Sequence, residues 1–187
     1  QTLAAMNGHV AIGHCRYSTT GSTTWENAQP IFRTTAAGSG VALGHNGNLV
    51  NTAALSDVVG ALLAHGAADS TIEQAAMELL PTLEGAFCLT FMDENTLYAA
   101  RDPHGVRPLS LGRLDRGWVV ASETAALDIV GASFVRDIEP GELLAIDADG
   151  VRSSRFAAPE PKGCIFEYVY LARPDSVIGG RSVHSTR

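Results

Sequence analysis

Leu43-Gly44-His45-Asn46-Gly47-Asn48-Leu49 follows directly on the apolar run Val41-Ala42, and alanine- and leucine-rich helical spacing begins a few residues later. Residues 41–45 therefore read as a strand. Asn-Gly tolerates positive φ and is a strong turn signal, so a sharp turn is expected at Asn46-Gly47. Such a turn leaves an amide side chain and a backbone N–H side by side at the mouth of a strand. Two neighbouring donors of this kind suit an oxyanion. Taken alone the dipeptide is simply a turn, and its meaning depends on what surrounds it.

The chain has 187 residues, 45% hydrophobic and 18% charged, which fits one domain or one domain plus the start of another. No apolar run approaches a membrane span of roughly 18 residues, and no signal peptide is visible in the first residues. A net charge of −7 argues against a general nucleic-acid surface. Cys15, Cys88 and Cys164 are odd in number and far apart, with no C-x-x-C pair, so a reducing, cytoplasmic compartment fits better than a disulfide framework. Neither they nor the six histidines show zinc-ligand spacing.

Residues 9–16 alternate in character and read as a strand with one buried face. The hydroxyl-rich run 18–24 is a loop, and Ile31-Phe32 opens a short strand. Residues 52–64 and 71–80 carry helical spacing, the second with Ser70 as N-cap and Glu73 completing a capping box. Beyond Gly85 the texture becomes β. Residues 86–92 and 96–100, 109–114 and 118–122, and 142–147 and 151–156 form three hairpins, with a short helix over 123–130. Antiparallel hairpins and helices in separate blocks define an α+β layered fold rather than a doubly wound parallel sheet. Residues 157–163 read as a linker.

Two loops carry candidate chemistry. Arg101-Asp102-Pro103-His104-Gly105-Val106-Arg107-Pro108-Leu109 reads first as a rigid loop tied by an Arg–Asp pair, with Gly105 left-handed; a substrate role for Arg107 is a weaker alternative. Gly13-His14-Cys15-Arg16-Tyr17-Ser18-Thr19 places an arginine at a strand end beside hydroxyls, where a guanidinium can grip a carboxylate, though a lone arginine there is more often a surface residue or a structural ion pair. His14 and Cys15 are adjacent on that strand and diverge, which argues against a thiolate–imidazole dyad.

His14-Cys15-Arg16-Tyr17-Ser18-Thr19, Glu26-Asn27-Ala28-Gln29-Pro30 and His45-Asn46-Gly47-Asn48-Leu49 together resemble the class II glutamine amidotransferases. The 101–109 loop, Ala121-Ser122-Glu123-Thr124-Ala125-Ala126-Leu127-Asp128 and Phe166-Glu167-Tyr168-Val169-Tyr170-Leu171-Ala172-Arg173-Pro174-Asp175-Ser176 narrow the resemblance to the glutamine phosphoribosylpyrophosphate amidotransferase family. That resemblance implies a four-layer αββα N-terminal-nucleophile (Ntn) hydrolase sandwich. It also implies a glutaminase domain over residues 1–158, and a linker plus the start of a phosphoribosyltransferase domain over 159–187.

By the same resemblance an N-terminal Cys attacks the glutamine side-chain amide and a thioester forms. The Asn46 side chain and Gly47 N–H form the oxyanion hole, and Arg16, Tyr17 and Thr19 hold glutamine. Ammonia then displaces pyrophosphate from phosphoribosyl pyrophosphate to give 5-phosphoribosylamine, opening purine synthesis. The resemblance further implies Mg2+ in the transferase domain, a homodimer or homotetramer, and no nucleic-acid or membrane partner. In part of the family a cysteine at the position of Cys164 is one of four thiolates on a 4Fe–4S cluster.

The sequence departs from the family pattern in three places. Position 1 is Gln rather than the nucleophile, and the family has several dozen residues before the Arg16 motif. Leu55 runs straight into Ser56-Asp57 where the family carries an acidic loop, so Asp57 receives no substrate role. The sequence ends before a diphosphate-binding acidic motif. The alternatives are another class II amidotransferase, which the 166–176 motif argues against, or a non-catalytic Ntn-fold module.

Overall fold

The computed structural model describes residues 8–15, 28–35, 38–50, 55–66 and 70–187. Its main sheet has six antiparallel strands in the order β1-β2-β3-β4-β8-β9: β1 Ile31–Thr34, β2 Gly40–Leu49, β3 Gly85–Met92, β4 Leu97–Arg101, β8 Glu142–Asp147 and β9 Gly150–Arg155. A second sheet is ordered β6-β5-β7, from β5 Ser110–Leu114, β6 Gly117–Ala121 and β7 Ser133–Asp137. The helices are α1 Leu55–Gly66, α2 Ile72–Leu79 and the short α3 Thr124–Ile129. A strand pair, β10 Val177–Ile178 and β11 Arg181–Ser182, and a last turn of helix, α4 Val183–Thr186, follow.

The period of two along the strands builds the layers. Phe87, Leu89 and Phe91 of β3 face Val59, Leu63, Ile72, Ala76 and Leu80, so α1 and α2 cover one side of the main sheet. The intervening Cys88, with Ala99, Leu144 and Ile146, faces Leu109, Leu111 and Ile138 and forms a second core between the two sheets. On β5, Gly112 turns the other way, and its missing side chain makes room for Leu127 of α3 and for Ala132. Helices, sheet, sheet and helix are the four layers expected of the αββα sandwich. Burying two such cores is the main stabilising contribution, at roughly 25 cal/mol for each Å² of apolar surface removed from water.

Several local expectations are corrected. Asn46-Gly47 does not turn the chain: β2 continues through Leu49, with Asn46 opposite Cys88 and Gly47 opposite Phe87. Gly47 keeps its positive φ of 124° inside the strand because the Ala86 carbonyl approaches so closely that a Cβ would lie 2.1 Å from its oxygen. Gly85 mirrors it at φ 126°, against the Asn48 carbonyl. Residues 9–15 alternate in exposure but join no ladder, because β1 forms that edge of the main sheet. The capping box sits one residue later than expected: Thr71 accepts from the Gln74 amide, and the Gln74 side chain accepts from the Thr71 amide. Ser70 donates to the Gly66 carbonyl instead. Strand β7 had no counterpart in the sequence reading.

The stretch expected as a linker is a strap. The amides of Glu160 and Lys162 donate to the carbonyls of Pro103 and His104, at 2.8 Å each, and fasten residues 157–163 along the 101–109 loop. Among the described residues no helix is long and apolar enough to cross a membrane.

Candidate active site

Asn46 shares a sheet face with Cys88, since residues opposite one another on antiparallel strands point the same way. Its side chain thus stands on the inter-sheet side of β2, beneath the 101–109 loop. The strand end is pinned laterally by Gln29, whose Oε1 accepts from the His45 amide at 2.7 Å. That bond extends β2's edge pairing past the start of β1, and it joins the 26–30 motif to the 45–49 motif.

The 101–109 loop is rigid, but not through an Arg–Asp pair. Arg101 donates Nε to the Arg107 carbonyl, Nη1 to the Ile138 carbonyl and Nη2 to the Gly105 carbonyl, all at 2.8–3.0 Å. Asp102 is fully buried and accepts from the amides of Phe87 and His104. Each charged side chain satisfies backbone groups that the tight loop leaves without a ladder partner, a better use of a buried charge than pairing with its neighbour. Burial raises the Asp102 carboxyl above its ordinary range, against the pull of those amides and of Arg101. Gly105 is left-handed as expected, at φ 57°.

Held this way, the loop delivers Arg107 to Asn46. Arg107 Nη2 donates to Asn46 Oδ1 at 3.2 Å. Arg107 Nη1 lies 2.6 Å from Glu167 Oε1, whose side chain is almost wholly buried. That contact is a close ion pair, and the remaining Arg107 Nε is buried with no hydrogen-bond partner. Burial pushes the Glu167 carboxyl above its usual range, with Arg107 opposing. Glu167 opens the π-helical turn Glu167–Leu171 that follows the strap.

A second stitch lies nearby. Glu123 Oε2 accepts from the Arg173 amide and the Ser176 hydroxyl, and Thr124 Oγ1 accepts from the Val177 amide. The 101–109, 121–128 and 166–176 motifs, far apart in sequence, are therefore joined through their charged side chains.

Asn46 and Gly47 are thus together at the end of β2. Arg16, Tyr17 and Thr19 lie outside the described residues. Cys164 is part-exposed just ahead of the Glu167 turn, its carbonyl accepting from the Glu167 amide. Among the described residues no group of three or more His, Cys, Asp or Glu side chains is placed to hold a metal. Sequence reasoning gave Glu167 no role and Arg107 only a weak one. The available signal was an arginine locked between Gly105 and Pro108, in a loop whose other arginine, Arg101, is spent on the backbone.

The chain belongs to the glutamine amidotransferase domain family, whose profile matches residues 14–129. Within that class it is 79% identical to the amidophosphoribosyltransferase of Mycobacterium tuberculosis over its whole length, covering 40% of that protein. The amidophosphoribosyltransferase of Bacillus subtilis is 42% identical over 99% of the chain, with 42% of the relative covered. Among solved structures, the glutamine phosphoribosylpyrophosphate amidotransferase of B. subtilis in complex with ADP and GMP superposes with a TM-score of 0.83 at 36% identity, covering 92% of this chain and 40% of that one. The chain spans about 40% of the length of its mycobacterial relatives.

Proposed function

We propose that the chain is the glutaminase part of a glutamine-dependent amidophosphoribosyltransferase, which hydrolyses glutamine and passes the ammonia to phosphoribosyl pyrophosphate. The carrying observation is 79% identity, over the whole chain, to relatives bearing that name. In this reading a cysteine thiolate supplied outside these 187 residues attacks the glutamine amide carbon, and the negative charge on the carbonyl oxygen is met by the Asn46 amide and the Gly47 N–H. Collapse of that intermediate expels ammonia and leaves a thioester, which water hydrolyses to glutamate. Arg16 pairs with the substrate α-carboxylate, beside Tyr17 and Thr19. Residues 159–187 lead into the phosphoribosyltransferase domain, where Mg2+ and the second substrate bind. The protein acts as a cytoplasmic homo-oligomer.

Cys164 fits one thiolate of a 4Fe–4S cluster, with three more needed from elsewhere. Cys88 does not qualify, because it is walled into the inter-sheet core.

Treatment of the native full-length protein with diazo-oxonorleucine tests the reading. One covalent adduct on a cysteine, together with glutaminase turnover stimulated by phosphoribosyl pyrophosphate, is expected. Absence of an adduct and of turnover overturns it, and stimulation by a different cosubstrate assigns the chain to another amidotransferase.

A further inference from the structure

We propose that Arg107 is a positioning residue for the glutaminase reaction: it fixes the orientation and polarity of the Asn46 amide, and Glu167 holds it in place from the segment beyond the strap. The inference rests on the oxyanion role proposed for Asn46 and adds a residue to it.

A guanidinium carries five N–H donors and no acceptor, so the side-chain atom of Asn46 that it meets at 3.2 Å is the carbonyl oxygen Oδ1. An Asn amide has two faces of nearly equal size that exchange by rotation about its last bond. An arginine on one side removes that choice. With Oδ1 committed to Arg107, the NH2 group is the one left to face a developing oxyanion. A cation on the oxygen also polarises the amide and strengthens its N–H as a donor.

Stability alone does not account for the arrangement. Arg107 Nε is buried without a hydrogen-bond partner, and the Glu167 carboxylate is almost fully buried, with Arg107 Nη1 2.6 Å from its Oε1. Each such group opposes folding, and a half-satisfied buried ion pair is commonly no better than an apolar pair of the same shape. The guanidinium makes two contacts, the ion pair to Glu167 and the bond to Asn46, so the buried pair aims Arg107 at Asn46. Three ties then form one mechanical unit: the strap clamps the loop through Pro103 and His104, Arg101 ties the loop to Ile138, and Glu167 clamps Arg107.

The test is a double-mutant cycle in the full-length enzyme, with Arg107→Met, Asn46→Ala and the pair, read by glutamine-dependent and ammonia-dependent product formation. If Arg107 acts through Asn46, Arg107→Met lowers the glutamine-dependent kcat about tenfold to a hundredfold, a part of the loss expected when an oxyanion donor is removed. KM for glutamine and ammonia-dependent turnover stay within about twofold, and the pair is no slower than Asn46→Ala alone. Arg107→Lys, which keeps a donor and the charge, recovers part of the loss. Multiplicative losses in the pair, or parallel loss of the ammonia-dependent reaction, overturn the proposal in favour of a purely structural arginine. Where Arg107→Met does not accumulate as folded protein, Arg107→Lys and Glu167→Gln carry the same cycle to the same two outcomes. A parent enzyme without glutaminase activity refutes the proposed function itself; an active parent whose kcat ignores Arg107 refutes only this inference.

Discussion

Replacing Gly47 with alanine separates two penalties that a positive-φ glycine usually confounds. A Cβ at Gly47 lies 2.1 Å from the Ala86 oxygen, 2.8 Å from its carbonyl carbon and 2.9 Å from Phe87 Cα, all backbone atoms of the neighbouring strand. Relief requires β2 and β3 to part by roughly 1.3 Å to regain normal contact, in the ladder that carries the core on one face and Asn46 on the other. Overpacking of this kind costs about 1–3 kcal/mol. Holding alanine at φ 124° adds about 1–3 kcal/mol of backbone strain. Gly150 supplies the control, because it has the same φ of 124° and nothing within 4 Å of its Cβ position. Gly150→Ala is therefore expected to cost the strain alone, and Gly47→Ala to exceed it by about 1–3 kcal/mol. Urea unfolding of both variants against the parent, at matched slope, gives the comparison. Equal losses refute the claim that close approach of β3, rather than φ alone, dictates glycine beside Asn46.

Three further outcomes follow from other sites. Glu142 is buried; burial alone raises its carboxyl, but bonds from Arg136, Ser153 and the Glu139 amide outweigh it, so the folded value lies below the ordinary 4.5. The stability it contributes is thus present above the unfolded carboxyl's value and is lost as pH falls through the folded one. Glu142→Gln should cost about 1–3 kcal/mol near neutral pH, with the parent and variant curves converging in acid; a constant gap down to low pH contradicts this. The Cys88 thiol is pushed up to about 12 by burial, so a thiol reagent at pH 8 should label it only after unfolding, whereas exposed Cys15 labels in the native protein. Glu123→Ala removes the acceptor for the Arg173 amide and the Ser176 hydroxyl, and amide exchange at residues 173–177 should quicken about tenfold while β3 is unaffected; uniform quickening places the damage elsewhere.

The layered α+β fold was legible because its hairpins are local. Asp93-Glu94-Asn95, Asp115-Arg116-Gly117 and Ala148-Asp149-Gly150 turn the chain between strands that pair with their sequence neighbours. Strand β7 was not legible: its Phe134 and Val135 are both exposed, so it shows no alternation, and a register shift between Leu111 and Gly112 interrupts its pairing with β5. The Asn46-Gly47 turn failed for a related reason. Its local preference for reversal is overridden by eight residue pairs with β3, a strand some forty residues away that no window around Asn46 contains. The same distance hid the site's electrostatics. Arg107 and Asn46 are 61 positions apart, and only the completed two-sheet packing brings the loop over the strand end. Motif resemblance singled out Asn46 and Gly47, yet the arginine and glutamate that brace Asn46 emerge only from contacts.

The most direct measurement on the central claim is Asn46→Ala in the full-length enzyme, assayed with glutamine and with ammonia as alternative nitrogen donors. Loss of an oxyanion donor should lower the glutamine-dependent kcat about 10²–10³-fold while leaving ammonia-dependent formation of 5-phosphoribosylamine intact. A glutamine-dependent rate that survives the change, or an equal fall of both activities, contradicts the account.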